Sequence, residues 1–153
     1  MYQITEYSDA MSQEVVSFIL SILEGEFGHF GIDRPDLKDI PGYYQNKNGN
    51  FWLAKSDGKI IGTIGLINHG SGRGYIKRMA VATEHRGKGV AQKLLATLME
   101  FAKSSGYYGL YLATSENMTA AIRFYEKEGF ERIAALPEDF VHHGDSVFFK
   151  KSL

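Results

Sequence analysis

Seven consecutive residues, His85-Arg86-Gly87-Lys88-Gly89-Val90-Ala91, combine two glycines with basic side chains where an extended apolar segment gives way to an amphipathic run. The first turn of a helix has amides with no intrahelical partner and carries the positive end of the helix dipole. Glycines at 87 and 89 leave no side chain to keep an anion from those amides, and Arg86 and Lys88 add positive charge beside them. The expected ligand is a phosphate or pyrophosphate. The spacing is not that of the nucleotide-triphosphate loop, because no Gly-Lys-Ser/Thr follows four residues after a first glycine. Nor is it the dinucleotide G-x-G-x-x-G, because position 92 is Gln. A glycine-rich strand-to-helix connection with solvated basic residues would also account for the run, so the elements around it matter.

Those elements can be read from periodicity. Tyr2 to Tyr7 alternates weakly as an edge strand, and Asp9 is placed to cap a helix over Ala10–Glu24 that carries Val15, Val16, Phe18, Ile19, Ile22 and Leu23. Gly25 to Asp36 is loop-like, and Asp36 could cap a short second helix through Leu37, Ile40, Tyr43 and Tyr44, with Pro41 early enough to be tolerated. Phe51 to Lys55 and Lys59 to Ile67 flank Asp57-Gly58, a strong short hairpin signal. Gly70, Gly72 and Gly74 turn the chain into a strand over Tyr75–Val81. After the glycine motif, Val90, Leu94, Leu98 and Phe101 line one face of a long helix ending at Gly106. Tyr108 to Ala113 reads as a buried strand, and a helix beginning at Asn117 or a neighbour is closed by Gly129. Phe130–Leu136 and Ser146–Lys150 finish the chain as strands. The order is β-α-α-β-β-β-α-β-α-β-β, an α/β (α+β) chain with three antiparallel strands arriving just before the anion motif.

The 153 residues suit one domain over 1–153 with a substantial core, and no internal repeat or Pro-rich linker divides them. The longest apolar stretch, Val15–Leu23, is interrupted by Ser17 and Ser21 and is too short to cross a bilayer. Met1-Tyr2-Gln3-Ile4-Thr5-Glu6 lacks the basic and apolar regions of a signal peptide, so a cytoplasmic protein is expected. The absence of cysteine excludes disulfides, thiolate metal sites and a cysteinyl covalent intermediate. A net charge of -1 offers no broad basic surface, so neither nucleic acid nor membrane is expected as a partner. The histidines do not suggest a metal site: His142 and His143 are adjacent in a loop without a third ligand at helical or hairpin spacing.

With these elements in place, the chain resembles the GNAT superfamily of acetyl-coenzyme A dependent N-acetyltransferases. The family signature Gln/Arg-x-x-Gly-x-Gly/Ala at a strand-to-helix junction is matched by Arg86-Gly87-Lys88-Gly89-Val90-Ala91. A second feature, an Asn about one helix upstream of Phe-Tyr-Glu-x-x-Gly-Phe, is matched by Asn117 and by Phe124-Tyr125-Glu126-Lys127-Glu128-Gly129-Phe130. The resemblance implies the family fold, a mixed and mostly antiparallel sheet of about seven strands flanked by about four helices. It is weakest over residues 1–50. It also implies that acetyl-CoA is the cosubstrate, with its pyrophosphate on the amides of residues 86–91. Main-chain groups of Met79, Ala80 and Val81 would then pair with the pantetheine arm, lying like an extra strand between the strands at 75–81 and 108–113.

The implied reaction is direct attack of an amine in a ternary complex. An aliphatic amine with a pKa of about 10 must lose a proton first, and the departing thiolate must gain one. The resemblance places Tyr125 as the general acid, with core packing of Phe124 and Tyr125 as the plain alternative. Asn117 is assigned to hydrogen bonding with the coenzyme arm, although it could equally cap the last helix, and Phe124 is grouped with the coenzyme site. The base is chosen from Glu26, Glu116 and Glu84, with Glu26 on the variable substrate side preferred. Phe27, Phe30, Tyr43, Tyr44 and Tyr75 could shape the acceptor pocket or simply pack the core. Lys77 and Arg78, adjacent in a strand, should point to opposite faces, one of them free to pair with an acceptor carboxylate. The acceptor is expected to be the primary amine of a small metabolite such as an amino acid. A protein lysine or N-terminus, or a non-catalytic acyl-CoA sensor, stand as alternatives. Related folds often pair through their last strands, so a homodimer is conceivable.

Overall fold

A computed structural model describes residues 1–153 except Phe30 and His143, so the expectations involving those two side chains lie outside the described residues. Seven strands form one sheet in the order β1-β2-β3-β4-β5-β7-β6. They are β1 (Gln3–Glu6), β2 (Asn50–Ser56), β3 (Lys59–Asn68), β4 (Arg73–Val81), β5 (Gly109–Thr114), β6 (Glu131–Ile133) and β7 (Val147–Ser152). All neighbours are antiparallel except β4 and β5. The helices are α1 (Ser12–Leu20), α2 (Pro35–Lys38), α3 (Ile40–Tyr43), α4 (Val90–Ser104) and α5 (Thr119–Lys127). The sheet, its mixed topology and the element order agree with the expected fold, and the fifth helix arises because the expected second helix is split.

Each face of the sheet has its own core. On one, Leu94, Leu95, Leu98 and Ala102 of α4 and Tyr125 of α5 pack on Ile64, Leu66, Ile76 and Phe149. On the other, Val15 and Ile19 of α1 join Leu37, Ile40 and Tyr44 against Phe51 and Leu53. A third cluster, Tyr75, Tyr111 and Phe140, continues this second face where Phe140, from the chain after β6, packs on β4 and β5. Asp57 and Gly58 take positive φ values of 51° and 76°, the two left-handed positions that a tight two-residue hairpin requires.

Local departures from the sequence reading have identifiable causes. Asp9 does not cap α1; it lies in a 3-10 turn over Asp9–Met11 and accepts a hydrogen bond from the Tyr7 hydroxyl at 3.2 Å. The first helix also changes pitch, continuing as a π-helical segment over Ser21–Glu26. Asp36 is not a cap either, because it sits inside α2 and is buried, and Asp39 does the capping by accepting from the Gly42 amide at 3.0 Å. Met118, not Asn117, occupies the N-cap position of α5. The strand expected through Leu136 stops at Ile133, and the chain crosses the sheet face instead, anchored by Phe140.

The most consequential departure lies in β4. Thr63 pairs with Ala80 but Gly65 pairs with Lys77, so β4 carries one extra residue here. Arg78 adopts a φ of 58°, a left-handed conformation costing roughly 1–3 kcal/mol outside glycine. Buried Thr63 answers the bulge by donating its hydroxyl to the Arg78 carbonyl at 2.7 Å. The strict alternation expected for Lys77 and Arg78 therefore fails. Lys77 stands opposite Gly65, whose absent side chain leaves room for Tyr44 and Phe51 on the α1 face. Arg78 reaches Asp36 and Tyr44 on that same face.

Candidate active site

Parallel pairing of β4 with β5 is short: Arg73, Gly74 and Tyr75 match Gly109, Leu110 and Tyr111, and no pairing follows. Beyond Tyr75 and Tyr111 the strands diverge. The opening leads into a cleft of about 620 Å³ whose walls are Met79, Ala80 and Val81 on one side and residues 117–121 with Phe124 and Tyr125 on the other. Ile22, Glu26 and Phe27 also line it. At its mouth lie Arg86, Gly87, Gly89, Val90 and Ala91, with His85 and Gln92 beside them.

The backbone at that mouth has the geometry an anion site requires. Gly87 and Gly89 have φ values of 74° and 83°, and a Cβ added at Gly87 would project into open space. Gly89 is the N-cap of α4, and Lys93 donates to its carbonyl at 3.1 Å to begin the helix. The amides of Val90, Ala91 and Gln92 therefore have no intrahelical acceptor. A pyrophosphate fits this donor set, and the divergent stretch of β4 offers strand-edge groups to an extended amide-containing chain.

Twelve of the thirteen expected site residues line the cleft, Asn117 and Phe124 among them, whereas Lys88 is exposed and is not part of its wall. Glu26 reaches the cleft but is held there. Arg86 donates from Nη1 and Nη2 to the two Glu26 oxygens at 2.6 and 2.7 Å, and from Nε to the Val81 carbonyl at 2.9 Å. Hydrogen bonding from Arg86 pulls the Glu26 pKa below the ordinary carboxylate value; partial burial opposes this and the Arg86 charge adds to it. Of the other two base candidates, Glu116 is exposed and paired with Arg132, and Glu84 lies exposed in the 3-10 turn over Thr83–His85.

Tyr125 is 4% exposed, packed edge-on against Phe124 and Phe130. Among the described residues no group hydrogen-bonds its hydroxyl, yet that oxygen is not sealed off, and the side chain borders the cleft. Burial pushes its pKa well above 10, so it remains a neutral donor.

The α1 face holds a polar group that the sequence does not signal. Asp36 accepts from Arg78 Nε at 2.9 Å, from Arg78 Nη2 at 2.7 Å and from the Tyr44 hydroxyl at 2.7 Å. Burial alone would raise the Asp36 pKa, but hydrogen bonds and charge from Arg78, with Tyr44 and Lys77, more than offset it and the net shift is downward. Met118, Thr119 and Ala120 also line the cleft without having been singled out, and their one sequence signal is their position at the start of α5. Of the aromatic residues considered for the acceptor side, Tyr44 and Tyr75 are buried, Tyr43 is exposed and Phe27 lines the coenzyme-side cleft.

Unpaired amides at the start of α4 thus open into a slot between two diverging strands, with a tyrosine on its wall. Residues 16–130 match the acetyltransferase (GNAT) family, and the chain belongs to that family. It is 36% identical over 110 residues to probable N-acetyltransferase family 8 member 5 of Mus musculus, a match covering 69% of this chain and 48% of that protein. It is 33% identical over 110 residues to N-acetylaspartate synthetase of Xenopus tropicalis, covering 71% of this chain and 41% of that protein. The chain thus spans about half the length of the curated relatives it matches. A crystal structure of a GNAT-family acetyltransferase from Staphylococcus aureus Mu50 superposes with a TM-score of 0.94 at 34% identity, covering 99% of both chains. No helix among the described residues is long and apolar enough to cross a membrane.

Proposed function

We propose that this protein transfers an acetyl group from acetyl-CoA to the primary amine of a small metabolite, an amino acid or a related compound. The observation that carries the reading is the parting of β4 from β5 beyond Tyr75 and Tyr111, which joins the amide cradle at residues 86–91 to the Tyr125 hydroxyl in one cleft. A relative named N-acetylaspartate synthetase supports an amino-acid acceptor. Phe140, packed over Tyr75 and Tyr111, favours a small acceptor over a peptide that would need an open groove.

Bound in this cleft, the thioester supplies an activated acetyl group. The amides of Gly87 to Ala91 hold the phosphates, and the edge of Met79–Val81 that no strand covers aligns the arm that follows, the Val81 carbonyl being held by Arg86. Asn117, on the facing wall, hydrogen-bonds that arm, and Phe124 packs along it. Direct attack by the amine forms the C–N bond and breaks the C–S bond. Tyr125 donates to the sulfur as negative charge develops there, and its raised pKa keeps it protonated in the working pH range. Glu26 orders Arg86 while the two are paired, and it becomes able to accept the ammonium proton when Arg86 turns to the incoming phosphates.

The direct test is thiol release from acetyl-CoA over amino acids, polyamines, amino sugars and short peptides, with calorimetric coenzyme binding as control. Turnover with a single class of small amine is expected. Tight coenzyme binding with turnover only on peptides, or with no amine at all, would overturn the reading.

A further inference from the structure

The coenzyme side of the β4–β5 opening leaves a question about its other side, where the acceptor must approach. The apex of the opening is Tyr75 with Tyr111, the last paired residues. Tyr75 belongs to the cluster on the α1 face, and Lys77, two positions further along β4, faces the same way opposite Gly65. The bulge at Arg78 keeps the next residue on that face as well. Two cations therefore stand side by side at the deep end of the opening, where regular pleating would have sent one of them into the α4 core.

Their situations differ. The guanidinium of Arg78 is committed to Asp36, both of whose oxygens are occupied, one of them also by Tyr44. Lys77 is partly buried, its Nζ 5.9 Å from the centre of the Tyr75 ring, and among the described residues it makes no ion pair within 4.0 Å. The charged groups acting on it are Arg78, Asp36 and, from the 134–146 segment, Asp145. Burial first, and then Arg78, pull its pKa down, and an anion beside the ammonium would reverse that shift.

Resting on the transferase reading, we infer that Lys77 receives a carboxylate of the acceptor, so that the substrate class is amines that carry a carboxylate. An ammonium on a flexible stem, partly shielded from water, binds a carboxylate by charge-assisted hydrogen bonds, and the Tyr75 ring limits where its head can sit. Bound there, an amino acid presents its nitrogen to the apex of the opening. The products are the N-acetyl amino acid and the free thiol; of the two protons the nitrogen loses, one goes to solvent or Glu26 and the other restores the proton that Tyr125 gives to the thiolate.

The test pairs each accepted amino acid with its decarboxylated amine and compares wild type, Lys77→Met and Lys77→Arg. Wild type is expected to favour the carboxylate-bearing partner in kcat/KM by about tenfold or more, the scale of one hydrogen bond to a charged group. Lys77→Met, which keeps the stem over Tyr75, should raise KM for that acceptor by a similar factor. Its kcat, its turnover of the decarboxylated amine and its coenzyme affinity should change little. Lys77→Arg should retain most of the preference. Equal losses on both acceptors in Lys77→Met, or no wild-type preference for the carboxylate, would overturn this inference while leaving the transferase standing. No thiol release with any amine would overturn both.

Discussion

Arg78 closes both oxygens of Asp36 across 42 residues of sequence, at 2.7 and 2.9 Å, and does so from a left-handed backbone position inside a strand. The pair ties the α2 segment to β4 next to the proposed acceptor approach. Their side chains are 13% and 7% exposed, so losing one partner leaves the other charge nearly buried.

Arg78→Met is therefore expected to destabilise the protein by about 3 kcal/mol, the lower end for breaking a buried pair, and to lower Tm by roughly 6–12 °C. The folded-state pKa of Asp36 is depressed, so its contribution is fully present above the unfolded value near 3.9 and is lost as pH falls through the folded value. Denaturation of wild type and Asp36→Asn followed from pH 7 downward should show the stability gap narrowing only below about pH 4. A gap that stays constant to pH 2 would mean that Asp36 is not the titrating partner.

Glu26 and Arg86 form a second bidentate pair, but one with side chains 30% and 38% exposed, where solvent screening leaves a contribution of at most about 1 kcal/mol. Glu26→Gln should barely move Tm. It should tighten coenzyme binding by a few fold, because a carboxylate that holds Arg86 beside the phosphate cradle is gone. If Glu26 also takes the acceptor's proton, kcat falls in the same variant while coenzyme affinity rises. Calorimetry and steady-state kinetics on one preparation separate the two effects.

Tyr125→Phe removes one oxygen from a side chain whose ring is held by Phe124, Phe130 and Phe149. Coenzyme Kd should stay within about twofold of wild type while kcat drops by about 100-fold, the lower range for a general acid. Because burial raises the hydroxyl pKa above 10, wild-type activity should show no alkaline loss from this group up to about pH 10. An alkaline limb that disappears in Tyr125→Phe would mean that burial does not raise the Tyr125 pKa in this way.

Gly89→Glu tests the cradle. A Cβ at this position meets only Gln92 Oε1 at 3.7 Å, so packing tolerates it, although a φ of 83° strains any residue other than glycine. Coenzyme affinity should fall at least about 100-fold while circular dichroism remains that of the folded protein, with the strain costing roughly 1 kcal/mol. Retained affinity would place the phosphates elsewhere.

The features legible in the sequence were those with a local physical signature. Asp57-Gly58 announces its hairpin because both positions need positive φ, and Gly106 and Gly129 end α4 and α5 with φ values of 86° and 87°. The left-handed turns at Gly87 and Gly89 before α4 were legible for the same reason. The bulge at Arg78 was not, because nothing in Lys77-Arg78-Met79 marks one of three ordinary strand residues for a left-handed conformation that only register against Thr63 and Gly65 imposes. Asp36 misled because a carboxylate beside a helix start reads as a cap, whereas its true partner lies in a strand far along the chain. Glu26, preferred as a base on the variable substrate side, lines the cleft, but its pairing with Arg86 depends on how a π-helical turn aims it, which periodicity does not report.

The divergence of β4 from β5 has an effect beyond chemistry. A sheet normally confines its unpaired amides and carbonyls to its two outer borders, and this one exposes a third, internal border along the end of β4. Such a border is a template on which another extended segment can add. An extended ligand laid along it would serve as temporary β-structure, and at a hundred times its Kd would add about 2.7 kcal/mol to the folded state. Saturating acetyl-CoA should therefore raise Tm as well as feed turnover, which melts with and without it check.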